Sequence, residues 1–165
     1  MVEGGHKGLT QENASKESVY RSVVREHCAL EGRDPSARKV RVLIADDQQI
    51  ACEVLKRLLK TEHDVELVGT CSSGPETLDA IKKLNPDLVF LDVQMPGMDG
   101  FEVLDKLPTD RSPMIVFVTA NETYAGRALK ADADFVLKPC TRDRVRTALR
   151  HALARSTPKQ PGENF

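Results

Sequence analysis

From Lys39 onward the chain alternates short β-rich apolar runs with stretches of helical spacing, and four of those runs end on polar side chains. The run at 42–45 is followed by Asp46 and Asp47, the run at 88–91 by Asp92, the run at 115–118 by Thr119, and the run at 135–137 by Lys138. Such alternation specifies repeated βα units, hence an α/β fold with a parallel sheet covered by helices on both faces. In a parallel sheet all strands finish at one edge, where open α/β sheets bind their ligands. The acidic pair, the single acid, the hydroxyl and the amine are therefore expected to meet there.

Five units are legible. The first strand, 40–45, leads to a helix with Ile50, Val54, Leu55, Leu58 and Leu59 at helical spacing. A second strand, 65–71, precedes a helix opened by a capping box of Ser73 and Glu76, lined inside by Leu78 and Ile81 and stopped by Asn85 and Pro86. After the strand into Asp92, Pro96, Gly97 and Gly100 form a loop. Asp99 with Glu102 then caps a third helix expected to bury Phe101, Leu104 and Leu107. A strand at 114–118 leads to a weaker helix with Tyr124, Ala125, Ala128 and Leu129, and then to a short strand at 135–137. The final helix turns Val145, Ala148, Leu149, Ala152 and Leu153 inward and Arg142, Arg144, Arg146 and Arg150 mainly outward.

Residues 39–155 thus read as one domain, and 40% apolar composition over 165 residues is right for a single core plus tails. Residues 1–38 form an extension, polar and disordered to about Ser15, with a helix expected near 16–31 where Val19, Tyr20, Val23, Val24 and Cys28 recur at helical spacing. Residues 156–165 are expected to be a disordered tail. A net charge of -1 gives no global attraction to nucleic acid or to an anionic membrane. No apolar stretch approaches a membrane span, and the first ten residues lack the apolar centre of a secretory signal. Cys28, Cys52, Cys71 and Cys140 make no CxxC pair, so neither a zinc site nor a thioredoxin-type motif is expected, and a reducing cytoplasm fits. His6, His27, His63 and His151 are scattered without ligand spacing.

Three carboxylates brought close together repel one another unless a cation shares them. Oxygen donors without His or Cys favour Mg²⁺, which uses one or two carboxylates together with a phosphate oxygen. A phosphoryl group is then the natural ligand. Asp92 can act as nucleophile to give an aspartyl phosphate, Mg²⁺ and Lys138 can neutralise the equatorial oxygens, and Thr119 can offer a hydroxyl hydrogen bond.

These residues carry a resemblance. Asp46-Asp47, the run into Asp92 with Met95-Pro96-Gly97-Met98-Asp99-Gly100, Val118-Thr119-Ala120, and the run into Lys138-Pro139 resemble the receiver domain of two-component response regulators, over roughly 39–155. The resemblance implies a flavodoxin-like, doubly wound five-stranded sheet in the order 2-1-3-4-5. It implies that Asp92 is the phosphoacceptor, charged from a phosphohistidine on a sensor histidine kinase or a histidine phosphotransfer protein. Asp47, Asp92 and the backbone carbonyl of Gln94 would ligate Mg²⁺, with Asp46 acting largely through a metal-bound water. Thr119, Ala120 and Lys138 would surround the phosphoryl group, Thr119 and Phe135 would form the switch pair, and Lys138-Pro139 would be a cis peptide.

The same resemblance implies a signalling module that catalyses only its own phosphorylation and dephosphorylation and passes its state to a downstream protein target. A homodimer through the fourth helix, fifth strand and fifth helix is one use of that surface, with Asp132 or Asp134 pairing with arginines across it. Residues 116–149 are similar in particular to receivers of the LytTR class, which normally precede a DNA-binding domain. The chain ends after the last receiver helix, so no output domain and no nucleic-acid partner is expected for this chain alone. The alternative is the receiver portion of a truncated LytTR-type DNA-binding transcriptional regulator.

Taken singly, each marked residue has an ordinary explanation: Asp46 and Asp47 as helix-start acids, Asp92 as a turn former, Thr119 as an N-cap, Lys138 as a solvated lysine, Phe135 as core. Their joint placement at four strand ends argues against that. A phosphatase of the haloacid dehalogenase type uses the same residue types but needs a second Asp two residues after the nucleophile, where this chain has Gln94. A scaffold that had lost the chemistry would lack an acid or the lysine, and none is missing.

Overall fold

The computed structural model describes residues 39–109 and 112–156; the extension at 1–38, with the helix expected near 16–31, and residues 157–165 lie outside it. The strands are β1 Val40–Ala45, β2 Val65–Cys71, β3 Leu88–Asp92, β4 Met114–Thr119 and β5 Asp134–Leu137. They pair in parallel in the order β2-β1-β3-β4-β5. The helices are α1 Gln49–Leu59, α2 Gly74–Leu84, α3 Gly100–Asp105, α4 Ala125–Lys130, preceded by a 3₁₀ turn at Glu122–Tyr124, and α5 Arg142–Ser156.

Alternation along each strand divides the core into two layers. Val42, Ile44, Leu88, Phe90, Val116, Val118 and Val136 face Cys52, Leu55 and Leu59 of α1 and Val145, Ala148, Leu149 and Ala152 of α5. Leu43, Ala45, Val89, Leu91, Ile115 and Phe117 face Ile81 of α2, Phe101 and Val103 of α3, and Ala128 of α4. All of β3 is buried, which is why its sequence is an unbroken apolar run rather than an alternating one. Each such Leu or Phe contributes about 1.5–3 kcal/mol by leaving water. At the β2 edge the register slips between Val42↔Leu67 and Leu43↔Gly69, so that Val68 is an extra residue on the edge strand, as in a bulge.

Several expected inner faces are corrected. Ile50 is 82% exposed and Val54 38%, while Cys52, Leu55 and Leu59 are buried. At 100° per residue the first two lie on the opposite side of α1 from the buried three, so the apolar spacing in this helix marks two stripes of which one meets the sheet. In α4 Ala128 is buried but Leu129, the next residue, is 73% exposed. In α3 the buried pair is Phe101 and Val103; Leu104 is half-buried, and Leu107 lies beyond the helix end. The box at Ser73 is half-formed: Ser73 Oγ accepts from Glu76 N at 3.4 Å, whereas Glu76 Oε2 accepts from Ser72 N and Oγ at 2.7 and 3.0 Å. At α3 the Asp99–Glu102 box is complete, both bonds being 2.8 Å. Among the described residues no helix is long and apolar enough to cross a membrane.

Candidate functional site

The strand order reverses between β1 and β3, and the register there aligns Ala45 with Leu91, so the next residues, Asp46 and Asp92, emerge side by side. Asp92 pairs with Val118 and Thr119 with Leu137, and Lys138 N donates to Thr119 O at 2.8 Å. Each polar residue is therefore delivered to the rim by its strand's pairing.

Carboxylate oxygens of Asp46, Asp47 and Asp92 lie within 4.8 Å of one another. Asp46 and Asp92 are buried and Asp47 is exposed. Lys138 Nζ stands 2.7 Å from Asp46 Oδ2 and 3.4 Å from Asp92 Oδ2. The remaining oxygens serve the backbone: Asp46 Oδ1 accepts from Gln48 N at 2.8 Å, and Asp92 Oδ1 from Gln94 N at 3.2 Å. Asp46 thus does turn the chain into α1, as its ordinary reading has it, while its other oxygen faces the amine. The Lys138-Pro139 peptide is cis.

Burial, and after it the Asp46 charge, pushes the Asp92 carboxyl up to about 6 against the opposing pull of Lys138 and of Gln94 N–H. Burial alone would lower the Lys138 amine, but contact with Asp46 and the two nearby negative charges outweigh it, so its pKa is raised. Cys52, whose Sγ donates to Asp46 O at 3.4 Å, is raised by burial and then by Asp46. The donor set suits a hard divalent cation. Three carboxylates converge while Lys138 contacts only Asp46 and Asp92, and Asp46 Oδ2 is buried with no hydrogen bond beyond that ion pair.

Thr119 is 1% exposed at the neighbouring strand end, where its Oγ1 accepts from Asn121 N at 3.1 Å, and Ala120 beyond it is exposed. Gln94 is exposed two residues past Asp92. Phe135 is half-buried in β5, opposite Phe117, and packs into the layer of α2, α3 and α4 rather than beside the acids. Gly100 is packed too closely for a side chain without a shift of its neighbours: its N donates to Val93 O at 2.9 Å, and a Cβ there would come 2.5 Å from Asp92 O. Sequence reasoning missed one constellation outright. The Arg127 guanidinium lies 4.0 Å from the Phe101 ring centroid, and that ring in turn sits 4.4 Å from Phe117 and 6.0 Å from Tyr124. Nothing local in the chain marks an exposed arginine as the partner of a ring 26 residues away.

A family model described as the response regulator receiver domain matches residues 42–150. The transcriptional regulatory protein BtsR of Salmonella typhi is 41% identical over 122 residues, 73% of this chain and 51% of that protein. The sensory transduction protein LytT of Oceanobacillus iheyensis is 36% identical over 115 residues, 67% of this chain and 47% of that protein. The chain spans about half the length of these curated relatives. Among solved structures, the response regulator domain of Thermotoga maritima CheB is similar with a TM-score of 0.62 at 27% identity, covering 72% of this chain and 96% of that one.

Proposed function

Because the chain belongs to the response regulator receiver domain family of two-component signalling, we propose that Asp92 accepts a phosphoryl group from a phosphohistidine on a sensor histidine kinase or a histidine phosphotransfer protein. A carboxylate oxygen of Asp92 attacks phosphorus as the P–N bond to the donor imidazole breaks, giving an aspartyl phosphate and the free imidazole. The observation that carries this reading is the convergence of Asp46, Asp47 and Asp92 with Lys138 at the β1/β3 crevice.

Asp46, Asp47, Asp92 and the Gln94 carbonyl would hold Mg²⁺, which when bound supplies charge neutralisation at the phosphoryl oxygens. Lys138, already between Asp46 and Asp92, pairs with the incoming phosphoryl oxygen. Thr119 Oγ1 accepts from Asn121 N, which leaves the hydroxyl proton for donation to the phosphoryl group, with the Ala120 amide beside it. Phe135 responds as the second member of the switch pair. The chain catalyses only its own phosphorylation and dephosphorylation, in the cytoplasm. It signals to a downstream protein or to a second copy through α4, β5 and α5, where a groove lined by Leu129, Phe135, Val136 and Ala148 supports such a contact.

A second reading is favoured by one observation: the relatives named as a transcriptional regulator and a sensory transduction protein are about twice as long as the matched stretch. On that reading the chain is the receiver portion of a LytTR-type DNA-binding regulator, and coding sequence for a DNA-binding domain downstream of Phe165 is its test. The principal reading is tested by intact mass after incubation with acetyl phosphate. One Mg²⁺-dependent phosphoryl adduct is expected on the wild type and none on Asp92→Asn; an adduct of undiminished yield on the variant rejects Asp92 as acceptor.

A further inference from the structure

Phe101 joins three segments that phosphorylation of Asp92 would disturb. It follows Gly100, whose Cα is closed against the Asp92 carbonyl. Its ring packs 4.4 Å from Phe117, two residues before Thr119, and 6.0 Å from Tyr124 in the turn that leads into α4. Arg127 of α4 then covers the ring at 4.0 Å, a cation–π distance. Helix α4 has few other ties. Of its six residues only Ala128 is buried, and no side chain caps its start.

We propose that Arg127 and Phe101 form a latch that holds α4 to the segment carrying Asp92 in the unphosphorylated protein, and that phosphorylation and the latch oppose each other. This rests on the phosphoacceptor reading above. A phosphoryl group at Asp92 draws the Thr119 hydroxyl toward it, and the chain from Thr119 to Thr123 follows because Asn121 N donates to that hydroxyl and Asn121 Oδ1 accepts from Thr123 N at 2.9 Å. Arg127 is carried along at the start of α4. Phe101 cannot follow, since Gly100 has no free space on the Asp92 side and the Asp99–Glu102 box fixes the first turn of α3. The guanidinium must then leave the ring, and by linkage whatever weakens the latch favours the phosphorylated arrangement.

Arg127→Met keeps the aliphatic stem and removes the charge. With Mg²⁺, beryllofluoride, a phosphoryl mimic, is expected to bind Arg127→Met about 3- to 10-fold more tightly than the wild type, the range set by a cation–π contact of ordinary strength. In the unliganded protein, amides 128–132 are expected to exchange faster with deuterium in this variant. Neither change is expected when Arg127→Met is made in a Phe101→Leu background, and Arg127→Lys, which keeps the cation, is expected to stay near the wild type should Phe101→Leu not fold. Unchanged affinity and exchange in Arg127→Met, or a gain that survives without the Phe101 ring, overturns the latch. A wild type that binds no beryllofluoride overturns the phosphoacceptor reading and the opposition with it, while the exchange rates still decide whether the contact holds α4.

Discussion

On one face of the sheet α1 and α5, 11 and 15 residues long, bury continuous apolar stripes; on the other, α3 and α4 have six residues each. The long pair is held by packing, with Leu55, Leu59, Val145 and Ala152 essentially without solvent contact. The short pair is below the length at which a helix sustains itself, and it depends on a capping box, a glycine closed against the Asp92 carbonyl, and the ring group around Phe101. The long pair therefore anchors its face of the sheet, whereas on the other face the 11-residue α2 buries Thr77 and Ile81 and only the short pair beside the acids can shift at small cost. Low local stability is what a moving surface requires.

The largest expected effect breaks the anchoring layer. Leu55→Ala should cost about 2–5 kcal/mol of global stability by leaving a cavity, measured by urea denaturation, while acetyl phosphate still labels the folded fraction. Gly100→Ala should cost about 1–3 kcal/mol by overpacking and, unlike Leu55→Ala, should also slow labelling, because its Cβ is directed at Asp92 O. A labelling rate equal to the wild type's would detach α3 from the site.

Charge sharpens the contrast further. The Asp92 carboxyl, raised to about 6, holds a proton in the folded protein that the unfolded chain releases nearer pH 4. As pH rises through that window the folded state binds more protons, so stability falls and stays lower above it. In EDTA, Asp92→Asn should therefore melt higher than the wild type at pH 8 and alike at pH 4; melting curves that run parallel across pH would contradict the buried charge. The smallest effect belongs to the anchoring layer's rim. Glu62 Oε1 accepts from Arg146 Nε and Nη2 at 3.1 and 3.0 Å, and Glu62→Gln should cost at most about 1 kcal/mol, with labelling unchanged.

Much of this is legible in the sequence. The runs ending in Asp46, Asp92, Thr119 and Lys138 identified the strands and the rim, because a buried parallel strand needs a continuous apolar run and a ligand edge needs polar termini. The Asp99–Glu102 cap was equally plain, since both partners lie within one turn. The inner face of α1 was not, because Ile50 and Val54 satisfy helical spacing as well as Leu55 and Leu59 do. Leu129 misled in the same way beside Ala128. The Ser73 box failed in half because Ser72 offers Glu76 two donors one residue earlier.

The sequence by itself determined the order of elements, the two-sided sheet and which side chains stand at the strand ends, since these follow from periodicity and chain connectivity. The tertiary structure decided which of two apolar stripes of α1 meets the sheet, that Lys138 Nζ lies between Asp46 and Asp92, and that Arg127 covers Phe101. Periodicity is a property of one segment, whereas register, burial and a ring–cation contact are properties of pairs of segments and exist only after they pack.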